Sequence, residues 1–208
     1  MKNIVLIGGS YGIGKAIAQL MQFDCNLYIA ARTNEQITNL RVNYIPFDAS
    51  TDVLDNAQLP AVIDGLVFCP GSINLRPFKG IKPETFESDL QVNFINMVKV
   101  IQTVLPQLTA SEQASIVLFS SVANEYGNAI SHQCCRAKGA IEGFAKALAT
   151  EYAPKIRVNV IAPSLTDTPL ADKFLNNEVK KRKIGRTSSL KALRSTGRFS
   201  TNGRIFIE

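Results

Sequence analysis

The chain has 208 residues, enough for one domain with a sizeable core. Apolar residues make up 46% and charged residues 19%, and no apolar run is long enough to span a bilayer, so the composition fits a soluble globular protein and excludes a helical membrane span. The net charge of +6 is unevenly placed: residues 179–208 hold nine Lys or Arg against one acid, whereas residues 1–178 hold fourteen against sixteen.

In chain order, Asn3-Ile4-Val5-Leu6-Ile7 reads as a strand. It runs into Gly8-Gly9-Ser10-Tyr11-Gly12-Ile13-Gly14 and then into a helical segment from Lys15 to Met21. Residues 27–30, 42–48 and 66–68 read as the next three strands, the last stopped by Pro70-Gly71. Pro83 to Leu108 has helical spacing, with Phe86, Leu90, Phe94, Met97 and Val98 on one side. Residues 115–120 form a fifth strand, Ala137 to Tyr152 a second long helix, and residues 156–161 a sixth strand. Alternation of this kind predicts an α/β fold with a doubly wound parallel sheet and helices on both faces. Ligands bind beyond the carboxyl ends of such strands.

The glycine segment carries the sharpest chemical signal. Strand, glycine loop and helix make the setting in which a dinucleotide pyrophosphate is held. Gly8 permits the turn off the strand. Gly12 and Gly14 remove side chains where backbone approaches phosphate, and the helix start offers N–H groups and a positive dipole end. The spacing is G-x-x-x-G-x-G, and a plain strand–helix turn is the competing reading. Arg32 stands where an acid would grip a ribose 2′-hydroxyl, and an arginine there suits a 2′-phosphate. A solvated arginine at a strand end is an equal alternative. Asp48-Ala49 after the third strand suits the border of an adenine; alone, Asp48 is a turn acid.

Cys25, Cys69, Cys134 and Cys135 lack metal-ligand spacing, so no metal is expected. Cys134-Cys135 has the form of a redox pair, but reduced thiols in a cytoplasmic chain are the favoured reading. The amino terminus is a strand and shows no export signal. The basic tail suits nucleic acid or anionic lipid, yet no RNA- or DNA-reading motif accompanies it, so nucleic-acid binding ranks low.

Taken together, these residues resemble the short-chain dehydrogenase/reductase family over residues 1 to about 184. The resemblance rests on the glycine segment, Asp48, Cys69-Pro70-Gly71, Val92-Asn93-Phe94, Phe119-Ser120-Ser121, Lys138-Gly139-Ala140-Ile141-Glu142-Gly143-Phe144 and the run from Arg157 to Pro169. It implies an NAD(P)-binding Rossmann domain over 1–184, with NADP as the cofactor and NAD as the alternative. Gly8, Ser10, Gly12, Ile13, Gly14, Arg32, Asp48, Ala49, Pro70, Gly71, Lys138, Pro163, Thr166 and Thr168 would contact it. Asn93, Ser121 and Lys138 would be the catalytic positions. Ser121 would orient a carbonyl or hydroxyl, Lys138 would hold the nicotinamide ribose, and Asn93 would support a helix kink and a relay water. The substrate would be a small molecule, and a homodimer would form through residues 83–108 and 137–152.

One departure is central. The family's tyrosine lies four residues before this lysine and thirteen after this serine, and both counts land on Cys134. Lys138 would lower the pKa of a nearby acid. Cysteine is nevertheless too short to reach the tyrosine's point, so Cys134 is not expected to be the proton donor. Tyr126 is eight residues early. Cys69-Pro70-Gly71 also replaces the usual Asn-Ala-Gly.

Residues 185–208 do not resemble the family and read as a basic, disordered tail. Read one base later, codons permitted for Gly185 to Ile207 spell a string with the family's H-P-L-x-R-x-G-x-P-E-D core. The same shift over Asn128 to Arg136 gives a string with small residues at the tyrosine position. The expectation is a frameshifted, truncated translation of an atypical member that lacks its last helix and strand. The sixth strand would then be left with an open edge and the chain would be marginally stable. An NADP(H)-linked carbonyl or alcohol oxidoreductase is the leading functional reading, and a catalytically impaired dinucleotide-binding protein is the second.

Overall fold

The computed structural model describes residues 1–74, 77–122, 132–163, 166–172 and 205–206, the backbone alone at 132–135 and 205–206. A seven-stranded sheet in the order β3-β2-β1-β4-β5-β6-β7 forms its centre, and every pairing is parallel. The strands are β1 (Lys2–Ile7), β2 (Cys25–Ala31), β3 (Asn43–Pro46), β4 (Gly65–Phe68), β5 (Ala114–Phe119), β6 (Ile156–Ala162) and β7 (Ile205–Phe206). The helices are α1 (Gly12–Met21), α2 (Pro83–Leu90), α3 (Asn96–Thr109) and α4 (His132–Tyr152).

Parallel strands covered on both faces need apolar residues at every position, not at alternate ones. β1 shows why the sequence reads as a continuous run. Val5 and Ile7 pack on one face with Leu66, Ile116, Val104 and Ile141. Ile4 and Leu6 pack on the other with Leu27, Ile29 and Ala18. Each fully buried aliphatic contributes about 1.5–3 kcal/mol relative to exposure. α3 and α4 cover the first face, and α1 covers part of the second, assisted by Ile37 from the turns between β2 and β3.

The doubly wound parallel sheet expected from the sequence is present. Three local features differ from the simple alternation. No helix forms between β2 and β3, and only a 3₁₀ turn, Asn56–Gln58, lies between β3 and β4. The segment read as one helix over 83–108 is α2 and α3 joined by a π-turn, Gln91–Ile95, with Asn93 buried inside it. A one-residue widening of the helical ladder shifts the register of side chains on either side.

The third difference is at the sheet edge. The sequence predicts that β6 has no further neighbour. Instead, Ile161 and Ala162 pair with Ile205 and Phe206 of β7. That pairing covers only the end of β6, and among the described residues no strand pairs with Ile156–Val160 on that side. Two buried donors on β6, Arg157 Nε and Asn159 Nδ2, also lack partners. The remainder of the segment 185–208, including all of its basic residues, lies outside the described residues. Among the described residues, no helix is long and apolar enough to cross a membrane.

Candidate active site

The carboxyl ends of β1, β4, β5 and β6 converge on one cleft, and the glycine segment forms its first wall. Gly8 and Gly12 have φ of 77° and 53°, a region that disfavours side chains. A methyl group on Gly14 would collide with the Gly8 carbonyl oxygen and lie 3.0 Å from Gly9 Cα. One on Gly12 would meet Thr168 Cγ2 at 3.2 Å, and one on Gly8 would meet Pro70 Cδ at 3.1 Å. The loop is therefore clamped between Pro70 and Thr168, two positions the sequence places at the cofactor. α1 begins after Tyr11 with no side-chain cap and no acid in its first turn, which leaves its N-terminal dipole available to an anion. Ser10 is buried beneath the loop, and Ile13 packs beside the core.

Arg32 is exposed just beyond β2. Its neighbour Thr33 donates to the Tyr11 hydroxyl at 3.4 Å, which ties the end of β2 to the glycine loop. Asp48 closes its own turn: Oδ1 accepts from Ser50 N at 2.8 Å, and its N–H donates to Asp52 Oδ2 at 2.7 Å. Asp48 thus has the role of a turn acid. Ala49 also lines a cavity of about 500 Å³ between this turn and α3, with Leu54, Asn96 and Lys99. That cavity flanks the expected adenine end and does not reach Lys138.

At the β5 end, side chains hold one another. Lys138 Nζ donates to the Phe119 carbonyl at 2.9 Å, and a methyl group on Gly71 would lie 3.5 Å from that nitrogen and 3.0 Å from Asn93 Oδ1. Lys138, Gly71 and Asn93 therefore share one corner of the cleft. Ser121 follows β5 and is half-buried, and Val122 N donates to the Pro163 carbonyl at 3.3 Å. Thr168 Oγ1 donates to the Thr166 carbonyl at 3.3 Å, a local link within residues 166–168.

Two residues without an assigned role in the sequence stand out. Ser120 is buried and donates to Glu142 Oε1 at 2.6 Å, tying the end of β5 to the turn of α4 that follows Lys138. Asp89 is also buried, beside Asn93. The signal for Glu142 was its position one helical turn after Lys138; nothing in sequence spacing pointed to its partner.

The Cys69 thiol is pushed up to about 12 by burial, with the positive charge of Lys138 opposing the shift. The residue as a whole is half-buried, and the raised pKa favours the protonated thiol over the thiolate. Burial also raises the Cys25 thiol, with the charge of Asp24 adding to the shift. Cys134 lies on α4 one turn before Lys138, but its side chain, that of Cys135, and Tyr126 are outside the described residues. Among the described residues, no three His, Cys, Asp or Glu side chains gather as a metal site.

Comparison with known proteins agrees with this architecture. The chain is 31% identical over 199 residues to a bovine 3-oxoacyl-[acyl-carrier-protein] reductase, covering 88% of this chain and 83% of that protein. Its fold is similar to a glucose/ribitol-type short-chain dehydrogenase/reductase from Brucella melitensis, with 27% identity, a TM-score of 0.78 and coverage of 91% and 82% of the two chains. A short-chain dehydrogenase from Escherichia coli CFT073, solved with NADPH, shares the fold at 24% identity and a TM-score of 0.78, with coverage of 87% and 84%. Residues 2–179 match the family model described as short chain dehydrogenase, and the chain belongs to that family of oxidoreductases.

Proposed function

We propose that this chain binds NADP(H) and acts as an oxidoreductase on a small carbonyl or alcohol. The observation that carries the reading is the corner formed by Lys138, Gly71 and Asn93 at the same sheet edge as the side-chain-free loop. The residues fit the cofactor: Gly14 has no room for a Cβ, Gly12 combines a positive φ with a tight approach to Thr168, and the α1 dipole is uncapped. Gly8, Ser10, Gly12, Ile13 and Gly14 would hold the pyrophosphate, with Thr166 and Thr168 closing over it beside Pro163. Arg32 would pair with a 2′-phosphate, and Asp48 and Ala49 would border the adenine.

When bound, the nicotinamide supplies or accepts the hydride. The chain's own part is positioning. Lys138 would hold the ribose with an ammonium already oriented by the Phe119 carbonyl, and Ser121 would orient the carbonyl oxygen. Asn93 keeps the π-turn in register beside them. Cys134 occupies the family's tyrosine position, so the proton would come from water or another donor. The bovine relative's name makes a 3-oxoacyl thioester the first carbonyl to test.

NADPH and NADH fluorescence titrations, run beside a carbonyl panel, test this reading. Tighter binding of NADPH with measurable turnover is expected. The specific observation favouring a second reading, a dinucleotide-binding protein without turnover, is cysteine at position 134. NADPH binding with no turnover of any carbonyl would favour it. Absence of binding to either nucleotide would sink both.

A further inference from the structure

We propose that Asp89 is the positioning residue that fixes Asn93 and the Gly71–Asn74 loop beside Lys138, an inference that rests on the reading of this cleft as a nicotinamide site. Asp89 lies in the last turn of α2, one residue before its end at Leu90 and two before the π-turn, and is only 6% exposed. Its Oδ1 accepts from Asn74 Nδ2 at 2.6 Å and from Ser72 Oγ at 3.3 Å. Its backbone carbonyl accepts from Asn93 Nδ2 at 2.9 Å. Ser72 completes the ring. Its Oγ accepts from Asn93 Nδ2 at 2.9 Å, and its N–H donates to Asn93 Oδ1 at 2.9 Å.

Asn93 Nδ2 thus donates to two partners, Ser72 and Asp89, both inside the protein. The side chain acts as a clamp between loop and helix. The clamp is needed where it lies, because a π-turn holds its residues less regularly than the α-helical ladder on either side. Gly71, next to Ser72, is the residue whose surface faces both Asn93 Oδ1 and Lys138 Nζ. A displacement of Ser72 would therefore be felt at Lys138.

Stability alone does not account for an acid here. Asp89 Oδ2 is buried and has no hydrogen-bond partner among the described residues. A buried carboxylate with an unpaired oxygen costs free energy, and an apolar side chain of similar size would avoid that cost. What an apolar side chain cannot supply, and an oxygen at Oδ1 does, is an acceptor for Asn74 and Ser72 together.

The test compares Asp89→Ala and Asp89→Asn in the full chain. Two ligands are titrated: NADPH, and 2′,5′-ADP, which carries only the adenosine end. Asp89→Ala is expected to weaken NADPH about tenfold, the factor matching one net hydrogen bond, and to leave 2′,5′-ADP unchanged. Asp89→Asn, whose amide oxygen still accepts, is expected to restore NADPH binding to near the parent value. Equal weakening of both ligands, no weakening of either, or an Asn variant no better than Ala overturns the proposal. If Asp89→Ala does not fold, Ser72→Ala removes the same link and must show the same selective loss. If the parent chain binds neither ligand, the nucleotide reading has failed on its own. Amide hydrogen exchange at Ser72 then decides: faster exchange in Asp89→Ala with protection kept in Asp89→Asn supports the clamp, and unchanged exchange overturns it.

Discussion

The two ends of the cleft are built on different physical principles. At the β1 end, the geometry comes from side chains that are missing: Gly8, Gly12 and Gly14 let backbone, Pro70 and Thr168 close in. At the β5 end, it comes from side chains that hold one another: Lys138 on Phe119, Ser120 on Glu142, and Asn93 on Ser72 and Asp89. A backbone cradle is rigid and tolerates almost no added atoms. A side-chain lattice tolerates substitution but loses alignment by degrees. One end should therefore fail abruptly and the other gradually.

The sharpest way to break this contrast is Gly14→Ala. The added carbon strikes the Gly8 carbonyl oxygen and crowds Gly9 Cα, both backbone atoms, so the loop itself must shift. The expected cost is about 3 kcal/mol with loss of nucleotide binding. Thermal unfolding beside NADPH titration checks it, and a variant of parental stability would show that the loop is not close-packed. Lys138→Ala should act next. It is expected to cost about 2 kcal/mol of NADPH affinity, a charged hydrogen bond, with little change in melting temperature. If melting falls and affinity does not, Lys138 is a structural group.

Ser120→Ala removes the bond to Glu142 and leaves that carboxylate one partner short. A stability loss of about 1.5 kcal/mol is expected in denaturant unfolding, with nucleotide affinity changed less than by Lys138→Ala. The smallest effect is expected away from the cleft, at Asp64. Its Oδ2 accepts from Asn3 N at 2.8 Å and its Oδ1 from Ser111 Oγ at 2.7 Å. The Asn3 N–H foremost, then Ser111 and the charges of Lys2 and the amino terminus, hold this carboxyl below the usual carboxylate range against the opposing effect of burial. A depressed carboxyl contributes stability above its unfolded pKa, and that contribution is lost as pH falls through the lower folded value. Asp64→Asn should therefore cost about 1 kcal/mol at neutral pH, and the gap should close on acidification. A gap independent of pH between neutral and strongly acidic solution would contradict this assignment.

Much of this was legible in the chain, and the elements show why. β1 was readable because a strand buried on both faces must be apolar at every position. The glycine loop was readable because a backbone that cannot accept Cβ atoms must be written in glycine. The π-turn was not legible in the apolar pattern, since Phe86, Leu90, Phe94 and Met97 keep an apparently helical spacing across it, and only the family resemblance pointed to a kink at Asn93. β7 was not, because two apolar residues in a polar, basic segment carry no periodicity.

The sequence by itself determined the parallel sheet and the glycine loop, because each is a local matter of residue type and spacing, whereas Ser121, Asn93 and Lys138 were singled out only by the family resemblance. Only the tertiary structure decided which residues hold those groups in place. Glu142 reaches Ser120 across 22 residues, and Asp89 reaches Asn74 across 15. Such pairs are fixed by how α2 and α4 pack against the strand ends, and hydrogen bonds between distant segments leave no spacing in the chain to read.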